Sequence, residues 1–216
     1  MVFVIAEIGI NHNGSIEIAK KLIDIAASAG CDAVKFQKRN VEKLYPKKTL
    51  DQPRESPWGT TQREQKMGLE FSVKDYTIID KYCKKKNISW FASCWDVGSQ
   101  IQMRKFKTKY NKVASAMLIH EKLLKTVAEE EKYTFISTGM STIKQIENAV
   151  KIFNKFKCPF ELMHTHSSYP MKIDEANLKL IQTLKNKFKC KVGYSGHETG
   201  SYLVSVTASL LGATSI

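Results

Sequence analysis

The chain has 216 residues, a mass of 24.5 kDa, and 43% hydrophobic and 25% charged residues, which predicts one globular domain over residues 1–216 and excludes a disordered or fibrous chain. Its formal net charge of +13 raises the alternative of a nucleic-acid-binding protein. The lysines are spread over several amphipathic segments and form no basic stripe, so we predict no nucleic-acid partner and a surface that can attract a small anionic substrate.

The N-terminus and the cysteines indicate the compartment. The opening MVFVIAEIGINHNG lacks the basic start and the small-residue cleavage site of a signal peptide. No apolar run approaches the roughly 18–20 residues that a membrane span needs. The five cysteines are odd in number and show no CxxC spacing, which is typical of reduced thiols. We therefore expect a cytoplasmic protein with no membrane partner.

Seven short, β-rich apolar runs alternate with helical segments along the whole chain. Between the runs, apolar residues recur every three to four positions, which is typical of amphipathic helices. In the first such segment Ile18, Leu22, Ile25 and Ala29 share one helix face. The runs are VFVIAEIG (2–9), AVKFQK (33–38), SWFASC (89–94), KVASA (112–116), TFISTG (134–139), FELMHTH (160–166) and KVGYSGH (191–197).

Capping signals mark two of the predicted helices. Ser15 can cap the first helix and Gly30 can end it, while Thr142 with Gln145 fits a capping box. The face of the helix after Thr142 comprises Ile143, Ile146, Val150 and Phe153. The one long interruption is the polar segment 39–73, which contains Pro53, Pro57 and Trp58. A loop of that length in a compact domain is usually functional.

The alternation of strands and helices predicts parallel strands, because a parallel neighbour requires a crossover. A TIM-type barrel and a doubly wound sheet both satisfy this pattern. Nearly every strand ends on a polar residue, and in a barrel all these ends converge on the face where active sites are built. A dinucleotide-binding sheet would carry GxGxxG after its first strand, and GINHNGS does not match it. We predict an α/β fold of the TIM (β/α)8 type, incomplete, with about seven βα units and the start of strand 8.

The strand ends bring together a candidate site. Period-two alternation places Glu7 on one face of the first strand, and Lys35 and Gln37 on one face of the next. Lysines accompanied by serines suit a phosphate or carboxylate ligand. For a single residue a structural role stays open, such as a salt bridge for Glu7 or a helix cap for Ser137. The strand-end residues are Glu7, Lys35, Gln37, Ser93, Cys94, Lys112, Ser115, Ser137, His164, His166 and His197.

The histidines of this set suggest a metal. His197 lies at a strand tip and is a candidate metal ligand, and His164 with His166 adds nearby imidazoles. A satisfied core histidine is the alternative for any one of them.

Six ordered stretches resemble the sialic acid synthase family, which comprises N-acetylneuraminate and related nonulosonate synthases. They cover essentially the whole chain, and the segment PRESPWGTTQREQK (53–66) resembles the branch that acts on various N-acyl sugars. The stretches are IAEIGINHNG (5–14), DAVKFQ (32–37), KVASAM (112–117), FISTGMS (135–141), ELMHTHSSYP (161–170) and GYSGHETG (193–200).

The resemblance implies a metal-dependent condensation of phosphoenolpyruvate with an N-acyl aldose, such as N-acetylmannosamine or its 6-phosphate. C3 of phosphoenolpyruvate attacks the open-chain aldehyde, water attacks C2, and phosphate leaves by cleavage of its C–O bond. The product is a 2-keto sugar acid. A divalent cation, Mn²⁺ or Mg²⁺, polarises the aldehyde. The resemblance also implies a homodimer for the full-length form.

The matching motifs imply a role for each candidate residue. Lys112 and Glu7 are the catalytic residues, with Glu7 acting close to the sugar aldehyde. Lys35 and Lys112 hold phosphoenolpyruvate with the help of serine hydroxyls, and His197 is a metal ligand. The substrate-binding positions are Lys35, Gln37, Ser93, Ser115, Ser137, Ser167 and Tyr169.

Three departures from the family pattern bear on the substrate and on completeness. Ser167 stands where the family carries Asn, and Ser93-Cys94-Trp95 stands where it carries Ser-Thr-Pro, so the sugar pocket or a phosphoenolpyruvate contact differs. The sequence stops at Ile216, before the family's second metal histidine, the eighth helix and the antifreeze-like domain. We therefore expect unpaired strand edges and a metal site short of a ligand. The alternative function is an inactive or complemented barrel module that binds phosphoenolpyruvate or a partner chain.

Overall fold

The computed structural model describes residues 1–216 and contains two compact units. The first unit is Ala6–Thr108, and the second is Lys109–Ile216 together with Met1–Ile5. The prediction of a single domain stays a prediction. No helix in the structure combines the length and the apolar character needed to cross a membrane.

The first unit contains three parallel strands, of which β2 (Ala33–Lys38) pairs with β5 (Ser89–Cys94) in register from Ala33 opposite Ser89 to Lys38 opposite Cys94. Strand β1 (Ile5–Glu7) lies beside β2, and the next residue, Ile8, donates its N–H to the Lys35 carbonyl at 2.8 Å. The elements are β1 (Ile5–Glu7), α1 (Ile16–Ser28), β2 (Ala33–Lys38), α2 (Val41–Leu44), α3 (Lys47–Leu50), β3 (Pro53–Ser56), β4 (Gly59–Thr61), α4 (Gln62–Gly68), α5 (Val73–Lys85), β5 (Ser89–Cys94) and α6 (Val97–Met103).

One face of β2 and β5 is covered by α1 and α5. On this face Val34 and Phe36 pack with Trp90 and Ala92 in the hydrophobic core of the unit. Because side chains alternate along a strand, the residues between these lie on the opposite face. That opposite face carries Lys35, Gln37, Phe91 and Ser93.

The apolar face that the sequence pattern predicts for α1 is not the face that the fold buries. Ile18 is 37% exposed and Ile25 is 65% exposed, whereas Ala19, Ile23 and Ala26 form the buried face. The segment carries two apolar stripes, and the one with small alanines lets the helix approach the sheet closely. The caps are as predicted: the Ser15 hydroxyl accepts from the Ile18 N–H, and Gly30 follows the helix with φ of +77°.

The segment 39–73 is not a structureless loop, contrary to the sequence pattern. It contains α2, α3, the antiparallel pair β3–β4, and α4. Thr61 and Glu64 form a capping box at the start of α4. Gly68 packs against the Trp58 ring so closely that a Cβ at this position would lie 2.1 Å from it. The hydrophobic period of the sequence does not reveal these elements, because each of them is only three to seven residues long.

A buried histidine gives the first unit a predicted pH dependence. His12 is 2% exposed, stacks on Phe71 at 3.9 Å and accepts a hydrogen bond from the Gly14 N–H. Burial, and secondarily the charge of Arg39, lowers the pKa of His12 from 6.5 to about 4. The unfolded chain then binds a proton at higher pH than the folded chain does, so stability is present above pH 6.5 and is lost as the pH falls towards 4.

We expect this loss to amount to about 3 kcal/mol of unfolding free energy. His12→Asn keeps a hydrogen-bond acceptor for Gly14 and removes the titrating ring. Urea unfolding at pH 7 and at pH 4 checks the prediction, because carboxylate contributions are shared by both proteins and cancel in the comparison. Equal pH dependence of the two proteins would contradict it.

The second unit contains four parallel strands in chain order. Tyr110 pairs with Tyr133, Thr134 with Phe160, and Leu162 with Val192. The elements are β6 (Tyr110–Val113), α7 (Glu121–Ala128), β7 (Tyr133–Ser137), α8 (Ile143–Lys155), β8 (Phe160–His164), α9 (Lys179–Phe188), β9 (Val192–Tyr194) and α10 (Leu203–Leu210).

Helix α8 follows the sequence prediction closely. The Thr142 hydroxyl and the Gln145 side chain form the predicted capping box. Ile146, Val150 and Phe153 are buried, as expected for the predicted face. The first member of that face, Ile143, is 39% exposed because it lies in the first turn.

The expectation of unpaired strand edges is wrong for β9. The Thr214 N–H donates to the Val192 carbonyl at 2.9 Å, and the Phe3 N–H donates to the Thr214 carbonyl at 3.1 Å. The Ile216 N–H donates to the Phe3 carbonyl at 3.0 Å. Residues 214–216 therefore pair with β9 on one side and with residues 3–5 on the other.

Candidate functional site

The predicted site residues fall into two groups, one in each unit. In the first unit Glu7 and Lys35 form an ion pair on the face of the strands that the helices leave uncovered. Gln37 lies two residues further along β2 and donates from Nε2 to the Gly9 carbonyl at 3.4 Å. Ser93 lies beside Gln37 in the β2–β5 register and is 1% exposed, and its hydroxyl has no hydrogen-bond partner.

The ion pair satisfies the charge of Lys35 only in part. The Lys35 side chain is 12% exposed, while the Glu7 side chain is 42% exposed. A nearly buried ammonium held by one partly exposed carboxylate is compatible with a second anion on its other hydrogens. The group therefore combines a cation, a carboxylate, an amide and a hydroxyl on one face.

In the second unit Lys112 lies among hydroxyl and carbonyl groups. It is 5% exposed, and its ammonium contacts the Ser137 hydroxyl and lies 3.4 Å from the Val113 carbonyl. The reading of Ser137 as a helix cap does not hold, because Thr142 caps the helix that follows. A buried cation bordered by hydroxyls suits a ligand that has several anionic oxygens.

Gly139 holds two further serine hydroxyls together. Its N–H donates to Ser115 Oγ at 3.1 Å. A Cβ at Gly139 would lie 2.3 Å from Ser167 Oγ and 2.9 Å from Ser115 Oγ, so only glycine allows both hydroxyls to approach the backbone here. Ser167 Oγ is buried and has no hydrogen-bond partner. These contacts make a polar cradle of Ser115, Gly139 and Ser167 directly after β7.

His197 is held by hydrogen bonds at both ring nitrogens. Nδ1 lies 2.5 Å from the His166 carbonyl, and Nε2 lies 2.6 Å from the Tyr169 hydroxyl. Because a carbonyl only accepts, Nδ1 carries the proton in the neutral ring, and Nε2 accepts from Tyr169. The Tyr169 ring lies over His197, with centroids 3.8 Å apart. This tautomer leaves Nε2 as the nitrogen that can bind a metal.

His164 does not join this group. It follows Leu162 on the face opposite to that of Ser137 and Lys112, and its Nε2 donates to the Ala176 carbonyl at 2.7 Å. Burial lowers the pKa of His164, against the opposing effect of that hydrogen bond. A neutral, hydrogen-bonded histidine in this place is structural. The prediction that it adds an imidazole near His197 stays a prediction.

The residues present fit a metal ion only in part. His197 has the tautomer and the carbonyl contact typical of a metal ligand. The structure contains no group of three or more histidine, cysteine, aspartate or glutamate side chains that could hold a metal ion. His197 is therefore one candidate ligand rather than a metal centre.

Sequence reasoning missed three residues of potential functional importance. Gly139 follows a strand in FISTGMS, yet its close approach to two serines depends on tertiary packing. Arg39 continues the period-two series of Lys35 and Gln37, a signal that was available in the sequence. Trp95 was noted only as a departure from the family pattern. Both Arg39 and Trp95 have a buried nitrogen without a hydrogen-bond partner.

The chain matches known proteins over most of its length. The model of the NeuB family matches residues 22–216. An N-acetylneuraminate-9-phosphate synthase of Drosophila melanogaster is 38% identical over 216 residues, which cover 98% of this chain and 58% of that protein. An N,N'-diacetyllegionaminic acid synthase of Campylobacter jejuni is 35% identical, covering 97% of this chain and 64% of that protein. The chain thus spans less than two thirds of both relatives.

A solved structure has the same fold. The N-acetylneuraminic acid (sialic acid) synthetase of Leptospira borgpetersenii, determined in complex with citrate, superposes with a TM-score of 0.89 and 34% sequence identity. The match covers 100% of this chain and 71% of that chain. The predicted α/β fold of the TIM-barrel type, incomplete after seven βα units and the start of strand 8, is confirmed.

Proposed function

Because the chain belongs to the NeuB family, as its resemblance to the sialic acid synthases predicts, we propose that it condenses phosphoenolpyruvate with an N-acyl aldose. The products are a sialic acid-type 2-keto sugar acid and phosphate. The observation that carries the proposal is the nearly buried Lys112 ammonium against Ser137, in the unit that also holds the cradle around Gly139. The two relatives named above are nonulosonate synthases, which supports the same reaction class.

Lys112 and the serines bind the anionic substrate in this proposal. Phosphoenolpyruvate carries a phosphate and a carboxylate, and such groups are recognised by charge-assisted hydrogen bonds from ammonium and hydroxyl donors. Lys112 is already nearly desolvated, so its attraction for an anion is little screened by water. As C3 attacks the aldehyde carbon and water adds at C2, negative charge moves onto the departing phosphate. A fixed cation stabilises that charge in the transition state.

Glu7 and Gln37 suit the sugar. The Glu7 carboxylate is oriented by Lys35 and remains 42% exposed, so it can accept hydrogen bonds from sugar hydroxyls beside the aldehyde. Gln37 offers an amide on the same face of β2. Lys35 offers an ammonium to an anionic group of the substrates. Tyr169, 77% exposed, offers a ring and a hydroxyl to a sugar.

A divalent cation, Mn²⁺ or Mg²⁺, belongs to the proposal through His197. Its Nε2 would be a metal ligand, and the Nδ1–H bond to His166 orients the ring for that role. When bound, such a cation supplies Lewis-acid polarisation of the aldehyde oxygen. A metal ion on Nε2 would displace the Tyr169 hydroxyl, which donates to that nitrogen in this structure.

The test is phosphate release from phosphoenolpyruvate labelled with ¹⁸O at the oxygen bridging C2 and phosphorus. The protein is incubated with labelled phosphoenolpyruvate, Mn²⁺ and N-acetylmannosamine or its 6-phosphate. We expect phosphate release that depends on the sugar, with the label in the phosphate and a 2-keto acid formed in equal amount. Calorimetry with phosphoenolpyruvate alone measures binding separately. The absence of phosphoenolpyruvate binding would contradict the proposal.

The second candidate function, a module completed by another polypeptide, is favoured by the surface of α10. This helix exposes Leu203 at 60%, Val206 at 48% and Leu210 at 82%, at the spacing of one helix face. A complementary amphipathic helix would bury that face. Phosphoenolpyruvate binding without phosphate release would favour this candidate over an independently active enzyme.

A further inference from the structure

The two turns that precede β8 and β9 carry a cluster of exposed lysines. Strands β8 and β9 are parallel neighbours, so the turns before them lie side by side at the amino ends of the strands. Helices α8 and α9 end in these turns and are joined by an ion pair of Lys187 with Glu147 at 3.0 Å. The lysine cluster comprises Lys155, Lys157, Lys185, Lys187, Lys189 and Lys191.

The charge of the lysine cluster is only partly opposed. No acidic residue lies within 154–160 or 185–191, and Glu147 pairs with a single member of the cluster, Lys187. The neighbouring turn before β7 is acidic and borders the cluster on one side. It contains the glutamates 129–131, of which Glu130 is paired with Lys132 at 2.9 Å. The lysines still outnumber the glutamates, so this end of the second unit keeps an excess of positive charge.

The helix macrodipole explains only part of this cluster. Lysines in the last turn of a helix complement the partial negative charge at its C-terminus, and the last turns of α8 and α9 contain such lysines. Lys157, Lys189 and Lys191 lie beyond the last residues of these helices. Lys157 has φ of +52° and Lys189 has φ of +51°, a conformation that favours glycine or asparagine. A role in the helices therefore does not account for lysine at these positions.

Two exposed leucines lie at the same end of the second unit. Leu210 is the last residue of α10 and is 82% exposed, and the next residue, Leu211, is 38% exposed. They lead into residues 214–216, which run parallel to β9, so their turn also lies at the amino ends of the strands. Lys185 Nζ would lie 4.0 Å from a Cβ placed on Gly212 in this turn. Exposed apolar side chains therefore border the lysine cluster.

We propose that this end of the second unit binds the surface of an anionic phospholipid bilayer. The lysine ammonium groups pair with lipid phosphates, while Leu210 and Leu211 enter the boundary between headgroups and acyl chains. The expectation of no membrane partner rested on the lack of a spanning segment, and binding to a surface requires none. The cradle after β7 lies at the carboxyl ends of the strands, so a bilayer bound at the amino ends leaves it open to substrates.

A bilayer fits this surface better than a nucleic acid does. Nucleic-acid sites use arginine to read phosphates and bases, and exposed aromatic rings on which bases stack. The two turns contain no arginine, and their aromatic residues Phe156 and Phe188 are half-buried. A nucleic acid also offers no apolar environment to Leu210. A helix docked on α10 would cover Leu210 but would give the lysine cluster no anionic partner.

The test is flotation of the purified chain with lipid vesicles. One set of vesicles is phosphatidylcholine alone, and the other contains equal parts of phosphatidylcholine and phosphatidylglycerol. We expect binding to the anionic vesicles that weakens as salt is added, because salt screens exposed charges, and no binding to the neutral vesicles. Equal binding to both sets, or no binding to the anionic set, would overturn the proposal.

Two double variants locate the charged part of the surface. Lys155→Gln with Lys185→Gln removes two charges from the last turns of α8 and α9. Lys144→Gln with Lys179→Gln removes two exposed charges from the first turns of the same helices. We expect the first double variant to lose about tenfold in affinity for anionic vesicles and the second to lose less than about twofold. Equal losses would assign the binding to net charge and overturn the proposal.

A second matched pair tests the insertion of leucine. Leu210→Ser should lower the affinity for anionic vesicles about fivefold, because the serine brings no apolar surface to the bilayer. Leu203→Ser, at the other end of α10 and 60% exposed, should leave it nearly unchanged. Duplex DNA serves as a competing polyanion. If it bound as tightly as the anionic vesicles, and Leu210→Ser changed neither affinity, the surface would be a general polyanion site and the proposal would be wrong.

Discussion

Lys112→Ala is expected to lower phosphate release from phosphoenolpyruvate by about a hundredfold or more, the scale of losing one fixed charge partner of the transition state. The reason is the burial of the ammonium, which is 5% exposed and contacts the Ser137 hydroxyl. A cation in that environment interacts strongly with the charge that collects on the departing phosphate. Steady-state phosphate release at saturating sugar checks the prediction, and calorimetry reports how much of the loss lies in phosphoenolpyruvate binding.

The control for this substitution is Lys109→Ala. Lys109 is exposed and precedes the same strand. The Lys109→Ala variant therefore loses the same charge as Lys112→Ala, but at a position outside the proposed site. We expect its turnover to stay within about twofold of the parent, because exposed charges are screened by water and salt. Unchanged turnover in Lys112→Ala would contradict the role of that lysine. Equal losses in the two variants would assign the effect to general surface charge.

The strands were predictable wherever the alternation is complete. The runs 33–38 and 89–94 coincide with β2 and β5, because β-branched and aromatic residues on one face and polar groups on the other leave little choice of register. The ends of the other runs extend beyond the strands, as in FELMHTH, where β8 stops at His164. From there the backbone turns away, and period two no longer predicts where a side chain lies.

Helix α1 shows that a helix can be predicted correctly while the prediction of its buried face is wrong. Its sequence has large apolar residues on one stripe and a mixture of alanine and isoleucine on another, and hydrophobicity alone favours the larger residues. The fold buries Ala19, Ile23 and Ala26 instead. Close packing of a helix on a sheet depends on shape as well as on apolar area. A single sequence does not show which stripe meets the sheet.

The positions of the candidate site residues were predictable only where they follow from the alternation of side chains between the two faces of a strand. Lys35 and Gln37 could be placed on one face from the sequence, because both lie within β2. The approach of Ser115 and Ser167 around Gly139 could not be placed, since it joins segments more than twenty residues apart. The hydrogen bonds of His197 to His166 and Tyr169 likewise arise from a loop whose path has no periodicity.

His197→Ala is expected to raise the Mn²⁺ concentration needed for half-maximal phosphate release at least tenfold. Loss of one ligand removes a bond to the metal, and loss of even an outer contact typically costs about 10–100-fold in affinity. The Nδ1–H bond to the His166 carbonyl fixes Nε2 as the ligand nitrogen, so no other atom of the ring can replace it. Binding of Mn²⁺ followed by electron paramagnetic resonance, without substrates, measures the same loss independently of turnover.

A second histidine of the chain separates a ligand role from a general effect of removing an imidazole. His120 caps α7 by accepting from the Leu123 N–H, and His120→Asn removes the ring while keeping a side chain that caps helices well. We expect its Mn²⁺ dependence to match that of the parent protein. If His197→Ala also matched the parent in both measurements, His197 would not be a metal ligand. Its bonds to Tyr169 and His166 would then serve only to order the segment after β8, and any metal in this family member would have to bind elsewhere.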